Sequence, residues 1–251
     1  MPGLQDKVVI LTGAGGSIGG AMAEFLAAEK ARLVLVDLQE PVEVLDCVRQ
    51  KGSEAIAVVA DISDPASTDE MARQAVSSFG RIDGLINNAA YYRSASQSRF
   101  DEIDVEEWDR CFQVNVRGAW LCARAVFAQM RAQSSGKIVN IGSNTPYKGV
   151  GGLAHYVASK AAVIGLTRAL AREAGEFGIC VNALCPDFIP HDGGDLDERQ
   201  GEMNRRVLSQ RCLPRTQQAQ DITGVLRLLL GPDSDFVTGQ SILVNGGAYF
   251  H

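Results

Sequence analysis

Apolar residues along the chain come in short, nearly unbroken runs. "KVVILT", "RLVLVD", "EAIAVVAD", "GLINNA", "KIVNIGS", "CVNALCP" and "SILVNGG" follow one another at wide spacing. Parallel strands covered on both faces carry such runs, whereas a strand with one wet face alternates. Between the runs lie amphipathic stretches that read as helices: Ala21–Lys30, Pro65–Phe79, Glu106–Gln133, Ala158–Phe177 and Ala219–Leu230. Pro41 and Pro65 stand where first helical turns are expected. Gly52, Gly80 and Gly178 fall just past helix ends. This alternation predicts one α/β domain over residues 1–251, a doubly wound sheet of seven parallel strands flanked by helices. The long irregular stretch is Asp187 to about Leu196, followed by a polar, helix-like segment to about Arg211. Residues 187–211 therefore read as a substrate lid.

Composition narrows the partners. The chain has 251 residues, 46% apolar and 22% charged, with a net charge of −6 and no lysine or arginine block. That argues against nucleic acid or an acidic membrane surface. Its six cysteines form no CxxC pair, and a chain of this length buries a core without disulfides. The apolar run near the N-terminus is too short for a signal-peptide core or a membrane span, so a cytoplasmic protein is expected. The histidines are His155, His191 and His251, without metal-ligand spacing, and no metal is expected.

The stretch "VVILTGAGGSIGGA" places a glycine turn between a strand and a helix. GxGxxG fails, because the sixth position from Gly13 is Ile18. The P-loop pattern fails too, because Ala21 follows Gly20 where lysine is required. The spacing TGxxxGxG fits if Ser17 takes the middle glycine's place. Gly13 would then make the tight turn, Gly15 and Gly16 would let backbone amides approach a pyrophosphate, and Gly19 would allow close helix packing. A hydroxyl at Ser17 could itself donate to a phosphate. "RLVLVDL" ends in Asp37, roughly 20 residues on, where a ribose-binding acid belongs. A carboxylate there repels a 2′-phosphate by about 4 kcal/mol per charge pair at about 4 Å and an effective dielectric of ~20. Neither Ala14 nor Leu38 is basic, so NAD rather than NADP is expected. A plain glycine turn and a polar strand end remain the structural alternative.

Further along stand "NNAA" (Asn87–Ala90), "VNV" (Asn115), "IGS" (Ser143) and "YVASK" (Tyr156–Lys160). With the glycine turn, these motifs make the chain resemble the short-chain dehydrogenase/reductase family from about Lys7 to Gly247. The resemblance implies a Rossmann-type fold and an active site of Asn115, Ser143, Tyr156 and Lys160. It implies cofactor contacts from Gly13, Gly16, Ser17, Ile18 and Gly19 at the turn, and from Asp37 and Leu38 at the ribose. Asp61 and Ile62 would meet the adenine, Asn87 and Ala89 the adenosine side of the cleft. Tyr156, Lys160, Pro186 and Ile189 would meet the nicotinamide half. Asp61 and Asn87 could equally serve as caps and turn formers.

The residue types make chemical sense by themselves. Oxidising an alcohol needs a base for its proton, and a free tyrosine pKa near 10 is about three units too high. Lys160 lies four residues after Tyr156 on one helix face, so its ammonium can favour the phenolate. Ser143, at a strand's carboxyl end, can hydrogen-bond the substrate oxygen. By resemblance, Asn115 holds a water leading from Lys160 to solvent, and Lys160 also holds the nicotinamide ribose.

After the sixth strand the family usually has Pro-Gly and then a threonine for the nicotinamide carboxamide. This chain reads "CPDFIPHD", with Asp187 for the glycine and His191 for the threonine. Aspartate tolerates left-handed backbone, so the turn could survive. Ser143, Thr145, Val150, Tyr156 and His191 are the substrate candidates. Six acids in residues 187–202 suggest a lid that disfavours anions, hence a neutral or cationic alcohol or ketone; outward charges on a solvated loop are the alternative. Tyr91, Tyr92 and Tyr147 give the site an aromatic wall, similar to family members that oxidise ring-bearing alcohols. The family is often tetrameric, and a homotetramer through Glu106–Gln133 and Ala158–Phe177 is expected. The expected activity is an NAD-dependent dehydrogenase of a secondary or ring-bearing alcohol. The competing readings are an NADPH-dependent carbonyl reductase, for instance of 3-oxoacyl thioesters, and a non-enzymatic NAD-binding protein.

Overall fold

Seven parallel strands run in the order β3-β2-β1-β4-β5-β6-β7 in a computed structural model that describes residues 3–190 and 198–250. They are β1 (Val8–Thr12), β2 (Arg32–Asp37), β3 (Ala55–Val59), β4 (Gly84–Asn87), β5 (Gly136–Ile141), β6 (Ile179–Pro186) and β7 (Ser241–Val244). The continuous apolar runs are explained by cover on both faces. One core joins Val9, Leu11, Met22, Leu26 and Leu226; the other joins Val8, Ile10, Met71, Val126 and Met130. Alternate residues of β1 thus enter opposite layers.

The first layer carries α1 (Ser17–Ala28), α2 (Val42–Gln50) and α9 (Thr223–Leu230). The second carries α3 (Pro65–Phe79), α5 (Ala119–Gln133) and α7 (Ala154–Ala174). Three further helices are α4 (Val105–Phe112), α6 (Thr145–Lys148) and α8 (Glu198–Leu208). Local chemistry sets the ends as expected. The Asp64 side chain accepts from the Ser67 amide at 2.8 Å, Pro65 occupies the first turn of α3, and Gly80 closes it with φ of 74°.

The strand order reverses between β1 and β4, so the loops after these strands part and leave a cleft at their carboxyl ends. Thr12 braces that opening: its hydroxyl donates to the Ile86 carbonyl and accepts from the amides of Asn88 and Ala89.

Two expected helices are reorganised. Glu106–Gln133 is not one α-helix: a π-helical turn, Gln113–Gly118, separates α4 from α5. The long helix starts at Ala154 rather than Ala158, which sets Tyr156 within its first turn. Of the expected lid, residues 191–197 lie outside the described residues; α8 supplies its helical part.

Candidate active site

The cleft has two connected halves, sharing Ile18, Asn88, Ala90 and Tyr92 in their walls. The larger, about 780 Å³, lies over the glycine turn; the smaller, about 250 Å³, lies between Ser143, Tyr156 and α8.

The glycine turn is built by close approach. A Cβ on Gly13, whose φ is 67°, would sit 2.8 Å from the Ala89 Cα. One on Gly19 would sit 2.0 Å from the Gly13 carbonyl oxygen. Glycine is therefore required twice, and the N-terminus of α1 is pressed against the turn. Ser17 opens α1, exposed to the larger half together with Gly16 and Ile18. A strand, a side-chain-free turn and free helix amides form an anion cradle, so the residues present fit a dinucleotide. Gly15 departs from its expected role. Its amide donates to Asp37 Oδ2 at 2.8 Å, so it orients the acid. Asp37 Oδ1 accepts from the Leu38 amide at 2.7 Å.

Asp61 and Ile62 line the same half. Although burial works against it, hydrogen bonds from Ser63 and the Arg110 guanidinium hold the Asp61 carboxyl below its usual range. Ala89 lines this half too, but Asn87 does not. The Asn87 side chain is buried, donating to Asn140 Oδ1 at 2.8 Å and the Ala119 carbonyl at 3.2 Å. It ties β4 to β5 and α5 instead of reaching the cleft. Its neighbour Asn88 faces the cleft, with its amide nitrogen 3.0 Å from the carbonyls of both Thr12 and Gly13. Strand alternation decides between the two, and the motif alone does not show which residue points out.

The second half gathers the chemical groups. Ser143 and Tyr156 are buried and hydrogen-bonded to each other. Ser143 Oγ also accepts from the Thr145 amide at 3.1 Å and its hydroxyl at 3.0 Å. Burial, with Tyr92 close by, pushes the Tyr156 phenol above its ordinary pKa. The rings of Tyr92 and Tyr156 are 4.8 Å apart. Burial also pushes the Lys160 ammonium down to about 8. Lys160 Nζ donates to the Ile141 carbonyl at 2.7 Å and lies 5.8 Å from the Tyr156 ring centre. Desolvation thus disfavours both charged forms, and an ammonium beside a phenolate offsets part of that cost for each.

Asn115 sits in the π turn. Its Oδ1 accepts from the Tyr91 amide at 2.7 Å and its Nδ2 donates to Ser159 Oγ at 2.9 Å. Ser159 in turn donates to the Tyr156 carbonyl at 2.8 Å. The side chain therefore braces the first turn of α7. Asn115 lies where an α-helix widens by one residue, a common location for functional groups.

Thr145, Val150, Pro186 and Ile189 line the second half, while His191 lies outside the described residues. Asp187 corrects an expectation. It is not among the non-glycine residues with positive φ, which are Asp6, Lys30 and Ser134. Its carboxylate is buried between Lys148 Nζ, at 2.8 Å, and Arg211 Nε, at 3.3 Å. Sequence reading missed this cluster, because its members are far apart in the chain.

Two predictions arise here. Ser17→Ala should weaken dinucleotide binding about tenfold, the effect of one hydrogen bond to a charged group; an unchanged Kd in a fluorescence titration would reduce Ser17 to a spacer. Lys160 gives a pH signature. The unfolded lysine, near 10.5, binds a proton that the folded one releases above about 8. Its burial cost is complete below pH 8 and fades as pH rises to 10.5, so this group makes stability rise with pH. Urea unfolding should show wild type gaining on Lys160→Met across that window; parallel pH curves would refute it.

Comparison with known proteins agrees with this geometry. A family model described as enoyl-(acyl carrier protein) reductase matches residues 13–249. The chain is 36% identical over 248 residues to the (2S)-[(R)-hydroxy(phenyl)methyl]succinyl-CoA dehydrogenase subunit BbsD of Thauera aromatica, covering 98% of this chain and 97% of the relative. It is also 36% identical to the 3-oxoacyl-[acyl-carrier-protein] reductase FabG of Staphylococcus aureus, covering 98% and 99%. A structure from Sinorhizobium meliloti 1021, described as a short-chain alcohol dehydrogenase, superposes with a TM-score of 0.91 at 28% identity, covering 98% of each chain. The structure of an NAD+-bound xylitol dehydrogenase superposes at 0.87 and 31% identity, covering 97% and 99%.

Proposed function

The chain belongs to the short-chain dehydrogenase/reductase family of nicotinamide-dependent oxidoreductases, and on that premise we propose that it is an NAD-dependent dehydrogenase of a secondary or ring-bearing alcohol. The observation that carries the cofactor choice is Asp37, anchored by the Gly15 and Leu38 amides with its charge toward the larger half of the cleft. Gly13, Gly16, Ser17, Ile18 and Gly19 would hold the pyrophosphate, Asp37 and Leu38 the adenosine ribose, and Asp61, Ile62 and Ala89 the adenosine surroundings. Tyr156, Lys160, Pro186 and Ile189 would surround the nicotinamide half. When bound, NAD supplies the hydride acceptor.

The protein's own groups handle the proton. Ser143 hydrogen-bonds the substrate oxygen and Tyr156 takes its proton. Lys160 stabilises the Tyr156 phenolate that accepts this proton and becomes the neutral phenol, at a site where water screens little. Asn115, through Ser159, fixes the backbone of Tyr156. A second reading, carbonyl reduction, draws on the raised Tyr156 pKa: a neutral phenol is already the proton donor that a carbonyl oxygen needs.

We also propose a homotetramer. Trp108 and Trp120, 38% and 42% exposed near the π turn, supply apolar surface on the α4–α5 arm. Light scattering after size exclusion tests this; a monomer would end it. The reaction is tested by a panel of alcohols with NAD and ketones with NADH, followed at the NADH absorbance. Turnover with NAD by wild type, lowered about a thousandfold in Tyr156→Phe, is the expected result. No turnover of any member would favour a binding protein.

A further inference from the structure

The far end of the second half-cleft carries unbalanced positive charge. Asp187 is 6% exposed in its side chain, and both cations on it are buried as well, Lys148 at 11% and Arg211 at 1%. Lys148 Nζ lies 2.8 and 3.0 Å from the two Asp187 oxygens. Arg211 spends its remaining donors on the carbonyls of Phe188 and Arg215, each at 2.9 Å. Arg215 forms a two-bond pair with Asp221, at 2.6 and 2.7 Å, which is neutral in itself. Two cations therefore share one carboxylate.

Arg206, on α8, lines the same half-cleft and makes no ion pair among the described residues. Lys148 and Asp187 line it too, and Asp187 is the one acid in that lining among the described residues. Among the described residues, Lys148, Arg206 and Arg211 thus stand against a single carboxylate, with Arg206 exposed and Arg211 behind the cleft wall. The buried trio of Lys148, Arg211 and Asp187 holds one net positive charge in low dielectric, which is unfavourable until an opposite charge joins it. Ser143 and Tyr156 occupy the other end, and Val150, Leu153, Met203 and Val207 lie in the wall as well.

We propose that the substrate carries a carboxylate remote from its carbinol, held by Lys148 and Arg206 while the carbinol meets Ser143 and Tyr156. This rests on the oxidoreductase reading above and names the substrate class of that site. A carboxylate matches the planar fork of arginine, and the small cavity suits a single ring between the two groups. The inference reverses the charge preference expected from the acidic composition of residues 187–202. Of those acids, Asp187 is already neutralised by two cations and Glu202 is exposed and absent from the lining, while Asp192, Asp195 and Asp197 lie outside the described residues.

The test compares 4-acetylbenzoate with its uncharged isostere 4-acetylbenzamide. Binding to the enzyme with NADH is measured by calorimetry, and turnover by NADH absorbance. The carboxylate should bind at least tenfold more tightly than the amide. In Arg206→Gln and in Lys148→Met, which leaves Asp187 paired with Arg211, that ratio should fall toward 1. A ratio at or below 1 in the wild type overturns the proposal, as does no measurable binding of either compound. So does a ratio that neither variant moves. Carboxylate-selective binding without reduction of either ketone would leave the anion site standing and count against the oxidoreductase reading alone.

Discussion

Tyr156→Phe should lower kcat about a thousandfold while leaving KM and the NAD dissociation constant nearly unchanged. Proton transfer by a positioned side chain contributes roughly 10²–10⁴ in rate. The phenol is the buried hydroxyl that Ser143 shares with the space where a substrate oxygen would lie. Phenylalanine keeps the ring against Tyr92 and deletes one oxygen. Ser143 retains both hydrogen bonds from Thr145, so it is not left without a partner. Losing one neutral hydrogen bond costs about 1 kcal/mol, or about 2–4 °C of Tm in a chain of this size. Steady-state kinetics with the best alcohol of the panel, together with a melting curve, checks the split. A loss confined to KM would make Tyr156 a substrate-binding group and move the proton chemistry elsewhere.

The second large effect concerns Asp37. Wild type should bind NAD about a thousandfold more tightly than NADP, since about 4 kcal/mol of repulsion at ~4 Å corresponds to about three decades. Asp37→Ser combined with Leu38→Arg should invert that order by removing the repulsion and adding a donor for the 2′-phosphate. Affinity for NAD should fall in the same variant for two reasons. The ribose loses its acceptor, and the Gly15 amide loses the carboxylate that fixes the glycine turn. Asp37→Asn separates these contributions, because it keeps an oxygen for Gly15 while deleting the charge. Titrations of the wild type and both variants with NAD and NADP give the six constants needed. Equal affinities for the two cofactors in the wild type would refute the assignment.

The architecture was legible because burial on both faces leaves a mark in local sequence. The runs from Val8 to Thr12 and from Ile179 to Pro186 need no distant information to read as covered strands. The Tyr156–Lys160 pair was legible for a similar reason, since four residues of helix bring two side chains to one face. The choice between Asn87 and Asn88 was not, because it depends on which face of β4 meets β5. Asp187 was misread for a comparable reason. Viewed locally it is a turn-tolerant residue in an acidic stretch. In the fold it meets Lys148 from 39 residues upstream and Arg211 from 24 residues downstream. The break at Gln113–Gly118 was invisible because VNVRGAWL is compatible with helix throughout. The demand for the wider turn comes from the partners of Asn115, not from its neighbours.

That widened turn also sets a rule for chain length. A helix on a protein surface ordinarily absorbs a lost residue by rotating its free end. Here both ends are committed. Glu107 on α4 accepts from the amide and hydroxyl of Ser96, at 2.6 and 2.7 Å, while Cys122 and Val126 on α5 are fully buried. Deleting one residue from 113–118 would remove the extra residue that the wider turn holds and close it to ordinary α-helix, with α4 and α5 near their present phase. Glu107 would keep Ser96, but Asn115 would lose the wider turn that presents it to Tyr91 and Ser159. Substitutions along this arm can therefore be absorbed one side chain at a time, whereas a single-codon deletion in the wider turn would take Asn115 from its partners while leaving both helices in place.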